Sequence, residues 1–301
     1  MRAWKKRAIL LALCLCGAGL LLSFVAMMGL GFDFHKLNNV TMTENTYPVE
    51  EAFQNISISC AEADIVLVPL GDDEESRVVV RESDKIFHTV SVENGTLTVT
   101  RKDTRAWYEH FGVYWAGMKL TVYLPKQDYA ALQLSTVSGE ISVAEELTFD
   151  KANLSATSGD VRFQAAAEEL YLDTVSGDVI LDAPSLKELD IKTVSGDIRL
   201  ANISCDLVAL KTTSGEIRAD NVTATKEIRI EAVSGDVELG YCDGGSLQIE
   251  TVSGDVDATL LTAKQISTDT VSGDVRVPAG GSGGKCRVNT VSGDICIEYA
   301  N

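Results

Sequence analysis

The segment LYLDTVSGDVILDA, residues 170–183, decides how the chain reads. Before its glycine, Leu170 and Leu172 stand two residues apart, and after it Val179 and Leu181 do the same. A period of two marks strands rather than a helix. The SGD tripeptide between the two runs interrupts the alternation and marks a corner or bulge.

Working outward, the phrase recurs as TVSGE at 136–140, ATSGD at 156–160 and TVSGD at 174–178 and 193–197. It continues as TTSGE at 212–216, AVSGD at 232–236 and TVSGD at 251–255, 270–274 and 290–294. Its glycines are Gly139, Gly159, Gly177, Gly196, Gly215, Gly235, Gly254, Gly273 and Gly293, spaced by 18 to 20 residues. A unit this short cannot bury an apolar face alone and must stack on its neighbours. Aligned on the glycine, apolar pairs recur on both sides: Leu189/Ile191 with Ile198/Leu200, and Ile228/Ile230 with Val237/Leu239.

Two topologies could use such units: a meander of hairpins turning at SGD, or a β-solenoid whose coils pair in parallel. A meander tolerates drift in length. A solenoid places identical residues in ladders and demands a constant period, so the repeat favours it. The expected fold is all-β: a parallel β-helix of about nine 19-residue coils over 131–301, on the order of 40 Å long at about 4.8 Å per coil. The glycine suits either a positive φ or close approach of neighbouring coils. The Ser and Asp suit hydrogen bonds to nearby backbone N–H groups.

Upstream, residues 53–130 are strand-like but non-repeating, with Asn94-Gly95 marking a hairpin and MKLTVYLP at 118–125 another strand. This region is expected to form an N-terminal β cap over the first coil. The C-terminus carries no comparable segment: the last SGD ends at Asp294 and the chain at Asn301. The open final coil suggests end-on association. GGSGG at 280–284 reads as a flexible surface loop between coils.

The first 52 residues differ from everything after them. Arg2, Lys5, Lys6 and Arg7 precede an uncharged run from Ala8 to Phe32. That run is long enough to cross a bilayer, with residues 1–7 cytoplasmic, 8–32 spanning and 33–52 a polar linker outside. A cleaved signal peptide is the alternative, although its apolar region is usually shorter. Cys14 and Cys16 follow leucines rather than the small residue a lipoprotein site wants.

The chain carries a formal charge of −18, and the portion after residue 32 holds all 44 acids against 22 bases. Such acidity argues against nucleic acid as a partner. The five cysteines beyond the helix (Cys60, Cys205, Cys242, Cys286 and Cys296) follow no zinc or disulfide spacing. One or two pairs could still form.

Together, the N-terminal anchor, the strand ending Val122-Tyr123-Leu124-Pro125 and the serial TVSGD copies closely resemble the DUF4097 family. Its members are common in Gram-positive bacteria and carry a provisional adhesin label. The resemblance spans roughly residues 53–301. It implies a β-helical fold and a surface or envelope location, and it brings no catalytic residue set.

Three features are weighed for chemistry. The acid after each glycine forms a ladder, Glu140, Asp160, Asp178, Asp197, Glu216, Asp236, Asp255, Asp274 and Asp294. Its aspartates are weak candidates for Ca²⁺, since hard oxygen ligands suit that ion. The plainer expectation is a turn carboxylate satisfied by backbone N–H groups, with no metal or other cofactor. Glycoside hydrolysis needs two carboxylates in different environments; near-equivalent repeated acids single out no such pair, and the chain is not expected to be an enzyme. The stretch WYEHFGVYW gathers Trp107, Tyr108, Phe111, Tyr114 and Trp115. They suit either a cap core or an exposed surface for a partner such as a sugar.

The sequence thus points to a single-pass membrane protein whose extracytoplasmic β-solenoid serves as a non-enzymatic surface, adhesion or envelope interaction module. Cell-wall glycan or an envelope protein is the expected partner. The alternative is an envelope-stress regulatory protein acting through a membrane partner.

Overall fold

A computed structural model describes residues 2–29, 42–71, 74–107, 117–183 and 185–300. The chain divides into two compact units, one of residues 1–42 with 104–116, the other of residues 43–103 with 117–301.

The first unit contains the helix Arg2–Gly29, formed over the uncharged run as the sequence predicts. Among the described residues no helix is long and apolar enough to cross a membrane. The side chains of residues 1–10, 13 and 26 lie outside that description. A helix therefore stands where the sequence places an anchor, while the crossing itself rests on the sequence alone.

The second unit is the solenoid. Strands preceding each SGD stack into one parallel sheet and strands following it into another. Glu188–Ser195 lies between Ala166–Ser176 and Ser204–Ser214, with Leu170↔Leu189↔Val208 and Leu172↔Ile191↔Leu210 in register. In the second sheet, Val179↔Ile198↔Ile217 stack in the same way. These parallel ladders exclude the hairpin meander for the repeat region. Equivalent apolar residues meet in columns, and that is why the period stays near 19: a length change within a strand would move its apolar set out of the core, so one-residue differences are absorbed outside it, as at the register shifts between Cys205/Leu207 and Ala224/Glu227.

The region upstream of the repeats extends the same sheets. Asn55–Ser59 pairs in parallel with Asp128–Thr136, and Ala63–Pro69 with Ile141–Val143. Beyond them lie Thr96–Asp103 and Met118–Leu124. Closure comes from antiparallel strands: Arg77–Glu82 on Met118–Leu124, Thr43–Pro48 on Arg77–Glu82, and Ile86–Glu93 on Thr96–Asp103. Under them sit the buried Glu82 and His88. The Glu82 carboxylate accepts hydrogen bonds from the Tyr47 hydroxyl, the Asn45 amide and the His88 main chain, and contacts His88 Nδ1 at 3.0 Å. Burial raises the carboxyl's pKa, but these hydrogen bonds outweigh burial and hold it below the ordinary glutamate value.

At both ends, coil order in space departs from order in sequence. Asn55–Ser59 lies between Thr96–Asp103 and Asp128–Thr136. At the other end Lys285–Ser292 inserts between the Ser246–Glu250 portion of Val237–Glu250 and Gln265–Ser272. Likewise Ile295–Tyr299 inserts between Val256–Leu260 and Val275–Arg276. The last coil of the chain is therefore internal, and the spatial end is residues 265–276. This corrects the expectation that the final SGD corner ends the stack.

The crossover is built from packed backbone, so GGSGG is not a free loop. A Cβ on Gly283 would lie 2.1 Å from the Ala263 carbonyl oxygen, and one on Gly284 2.0 Å from that of Gly245. Lys264, 4% exposed, donates from Nζ to the Gly244 carbonyl at 2.7 Å and pairs with the Asp243 carboxylate. Its main-chain N–H donates to the Tyr299 hydroxyl at 3.2 Å.

The core is mostly aliphatic, with one aromatic column. Phe53, Tyr129, Phe149 and Phe163 lie in successive contact at ring-centroid separations of 5.9, 5.7 and 6.4 Å. Every cysteine among the described residues is a free thiol. Burial pushes Cys60 up to about 12 and Cys205, Cys242 and Cys286 up to about 11, so these thiols stay protonated near neutrality.

Candidate interaction surface

Each corner is assembled from the same five positions. The threonine of TVSGD turns inward: Thr136, Thr174, Thr193, Thr212, Thr251 and Thr290 are buried. The valine that follows turns outward, and the serine after it is exposed. Thr174↔Thr193 and Ser176↔Ser195 are in register while the valine between them leaves the ladder. This is the change of phase that the alternation predicts at the corner.

The glycine is required by contact rather than by φ. A Cβ on Gly196 would sit 2.1 Å from the Gly177 carbonyl oxygen, and one on Gly215 2.1 Å from that of Gly196. The stack runs from the Ala63 carbonyl under Gly139 through Gly254 to Gly293 and ends at Gly273. Ala63-Asp64 is thus a degenerate corner. It could have been read from Asp64 followed by the alternating IVLV run, but the missing glycine hid it.

The carboxylate ladder is tied between coils. Asp160 Oδ1 accepts the Asp178 N–H at 2.9 Å, Asp178 Oδ1 the Asp197 N–H at 3.0 Å, and Asp197 Oδ1 the Glu216 N–H at 2.9 Å. Asp64, Asp236, Asp255 and Asp294 make the same bond to Glu140, Asp255, Asp294 and Asp274. Asp suits the position because its short side chain reaches one coil onward. The Asp178 carboxyl is held below its usual range first by the Asp197 N–H and then by the Arg199 guanidinium. Arg199 bridges Asp178 and Asp197 at 2.9 and 2.7 Å. Among the described residues, no group of three or more His, Cys, Asp or Glu is placed to hold a metal ion. Asp257 differs: burial and then the neighbouring Asp255, Glu238, Asp236 and Asp294 raise its pKa.

The valines make the outstanding surface feature. Val137, Val175, Val194, Val233, Val252 and Val291 are each 48–53% exposed and lie along one edge of the stack, with Thr157 and Thr213 filling the row. Beside Val233, Val252, Val291 and Val271 lies a shallow groove of about 470 Å³, its other wall formed by Glu231, Glu250 and Asn289. Neighbouring charges are paired across coils, as in Lys211–Glu231 and Lys151–Glu169, at 2.9 and 3.0 Å. Of the aromatic segment, Trp107 is 76% exposed. Tyr108, Phe111, Tyr114 and Trp115 lie outside the described residues.

A parallel solenoid with a glycine-packed, aspartate-tied corner defines the class of protein. The model of the Toastrack DUF4097 family matches residues 53–250, and the chain belongs to that family. No curated protein matches it. Among solved structures it is similar to a "putative adhesin" from Bacteroides fragilis NCTC 9343, at 14% identity and TM-score 0.47, covering 86% of this chain and 97% of that one. It is also similar to a "putative lipid binding protein" from Parabacteroides distasonis ATCC 8503, at 17% identity and TM-score 0.44, covering 86% and 97%.

Proposed function

We propose that this chain is a membrane-anchored, extracytoplasmic interaction module that works without catalysis and engages an extended partner, a cell-wall glycan or an envelope protein. The observation that carries this reading is the row of half-exposed valines. A soluble rod normally exposes apolar side chains singly. Here they recur at every coil or every second coil in one line, a pattern suited to a partner that is itself extended and repetitive. Part of the charge around them is already paired, as in Lys211–Glu231, so apolar contact would supply much of the affinity and the polar rim would limit it to partners of matching shape.

The anchor is supported by the 25 uncharged residues from Ala8 to Phe32 and the four bases before them. It is also supported by exposure of Leu11, Leu15, Leu20, Leu21, Leu22, Phe24, Val25 and Met28 on the helix. A helix apolar on every side needs an apolar surrounding.

The test substitutes Val175, Val194 and Val233 by glutamate in the full chain and measures binding to intact cells and to a panel of cell-wall glycans. Loss of binding with an unchanged melting temperature supports the reading; unchanged binding overturns it. Co-purification of a stoichiometric membrane partner that still binds the variant would favour regulation through that partner.

A further inference from the structure

We propose that the cavity between the connection 49–54, the hairpin tip Asn94-Gly95 and the turn 125–127 is a subsite for a short saccharide that is neutral or carries an amine. The cavity holds about 590 Å³, within the range of pockets that take small ligands. Its walls are fixed by hydrogen bonds. The Val49 N–H donates to the Ser76 carbonyl at 2.9 Å, and the Gln54 and Asn55 N–H groups both donate to the Gly95 carbonyl, at 3.0 and 3.1 Å. The Gln54 carbonyl accepts the Ala130 N–H at 2.9 Å, and the Gln127 side chain donates to the Phe53 carbonyl at 3.2 Å. Asn94 and Gly95 hold the tip with φ of 52° and 73°, the left-handed pair of a two-residue hairpin turn. Separate stretches of chain are thus tied into one preformed site.

The lining decides what fits. It carries the carboxylates of Glu50 and Glu51 and the carboxamides of Gln54 and Asn94. Among the described residues these side chains make no hydrogen bond or ion pair, and the main-chain N–H groups of Glu50, Glu51, Ala52 and Phe53 have no partner. Elsewhere on the surface such acids are engaged, as Glu169 is by Lys151 and Glu231 by Lys211. No base lines the cavity. Lys126, within the turn, reaches Glu146 at 2.9 Å; Arg77, next to Ser76, pairs with Glu74 at 3.3 Å and lies over the Tyr123 ring.

A sugar hydroxyl both donates and accepts, so carboxylates, carboxamides and free N–H groups together match a ring of hydroxyls. Val49, Ala52 and Pro125 add small apolar faces for its C–H side. Two unbalanced carboxylates repel an anion and attract an ammonium. The matching chemistry is that of a neutral or amino sugar rather than a phosphate or an acidic glycan. The subsite rests on the reading that the partner is a glycan, but it makes no use of the valine row.

The experiment is titration calorimetry of the full chain, in a detergent without sugar headgroups, against the trimer of glucosamine, the trimer of N-acetylglucosamine and trigalacturonate. Expected are binding of the first two, the amino trimer more tightly, and none of the third. Asn94→Gly, which keeps the left-handed turn, combined with Gln54→Ala should weaken both by about tenfold or more, as for the loss of two hydrogen bonds. Glu50→Gln with Glu51→Gln should abolish the preference for the amino trimer. All four side chains are exposed, so the melting temperature should not change. Binding that is unchanged in these variants, tighter for trigalacturonate, or weaker than that of trilysine would overturn the proposal. The chain carrying Val175→Glu, Val194→Glu and Val233→Glu should still bind both trimers, and loss of that binding would also overturn it. Trimers that fail to bind a chain whose valines still hold it to cells would overturn the subsite alone.

Discussion

The Asp178 carboxylate accepts the main-chain N–H of Asp197, one coil away, at 3.0 Å. The bond gives the repeated acid a structural task and predicts its pH response. Asp178 has a lowered folded pKa, so its contribution is present above the unfolded aspartate value and is lost as pH falls through the lowered one. Asp257 has the opposite sign: its raised pKa makes it favourable below the unfolded value and costly as pH rises through the folded one. Asp257→Asn should therefore raise the melting temperature at pH 7, whereas Asp178→Ala should lower it, and the loss should fade at acidic pH. Both groups are well exposed to solvent or weakly buried, so each shift should be small. Calcium or a chelator should leave the melting temperature unchanged, because the aspartates are already engaged by N–H groups.

Gly196→Ala should be among the most damaging small substitutions. The new methyl would meet the Gly177 carbonyl oxygen at 2.1 Å, and backbone cannot rotate away as a side chain can. Overpacking typically costs about 1–3 kcal/mol, and contact with backbone belongs at or beyond the upper end. Urea unfolding would measure it. Gly280→Ala, where a Cβ would come no closer than 4.0 Å to its nearest neighbour among the described residues, is the control and should be nearly neutral.

Thr193→Val should be tolerated or mildly stabilising. The threonine is 4% exposed and its hydroxyl has no hydrogen-bond partner among the described residues. Replacing an unsatisfied buried hydroxyl by a methyl of the same shape removes a desolvation cost of about 1–3 kcal/mol. A fall in stability measured by denaturant titration would show that the hydroxyl has a partner after all.

Phe149→Ala should destabilise by about 3–5 kcal/mol, as expected for a large aromatic in a close-packed core. Phe149 is fully buried and stacks between Tyr129 and Phe163, so its loss opens a cavity in the middle of the aromatic column. Calorimetry would read this as a lower melting temperature.

Glu82→Ala should loosen the closed end. It strands the Tyr47 hydroxyl, the Asn45 amide and the His88 N–H, which the carboxylate now satisfies. Breaking a buried polar hub of this kind costs about 3–5 kcal/mol. Hydrogen exchange should rise first in Thr43–Pro48, the outermost strand. Because the carboxyl is held below its ordinary pKa, the lock is intact above the unfolded glutamate value and opens as pH falls through the lowered one.

Much of this was legible in advance. The inward residues, the corner and its bulge followed from alternation around SGD. The two roles offered for the glycine were separated only by coordinates, since a positive φ and a close approach both select glycine. Asp64 escaped notice because Ala63 replaces the glycine at the first corner. The valine row was visible in the repeat, but its outward direction depended on the change of phase between threonine and valine.

By itself the sequence determined that the chain is a stack of near-identical coils, because nine copies at constant spacing can bury their apolar columns only by stacking in register. Only the tertiary structure decided the order of the last coils, with 285–299 placed between 246–260 and 265–276. The physical reason is degeneracy. Every TVSGD corner offers the same glycine contact and the same aspartate bond to whichever corner lies above it, so those ladders cannot rank one order over another. The choice falls to contacts outside the motif, Lys264 with Asp243, the Lys264 main chain with Tyr299, and the packed glycines of 280–284.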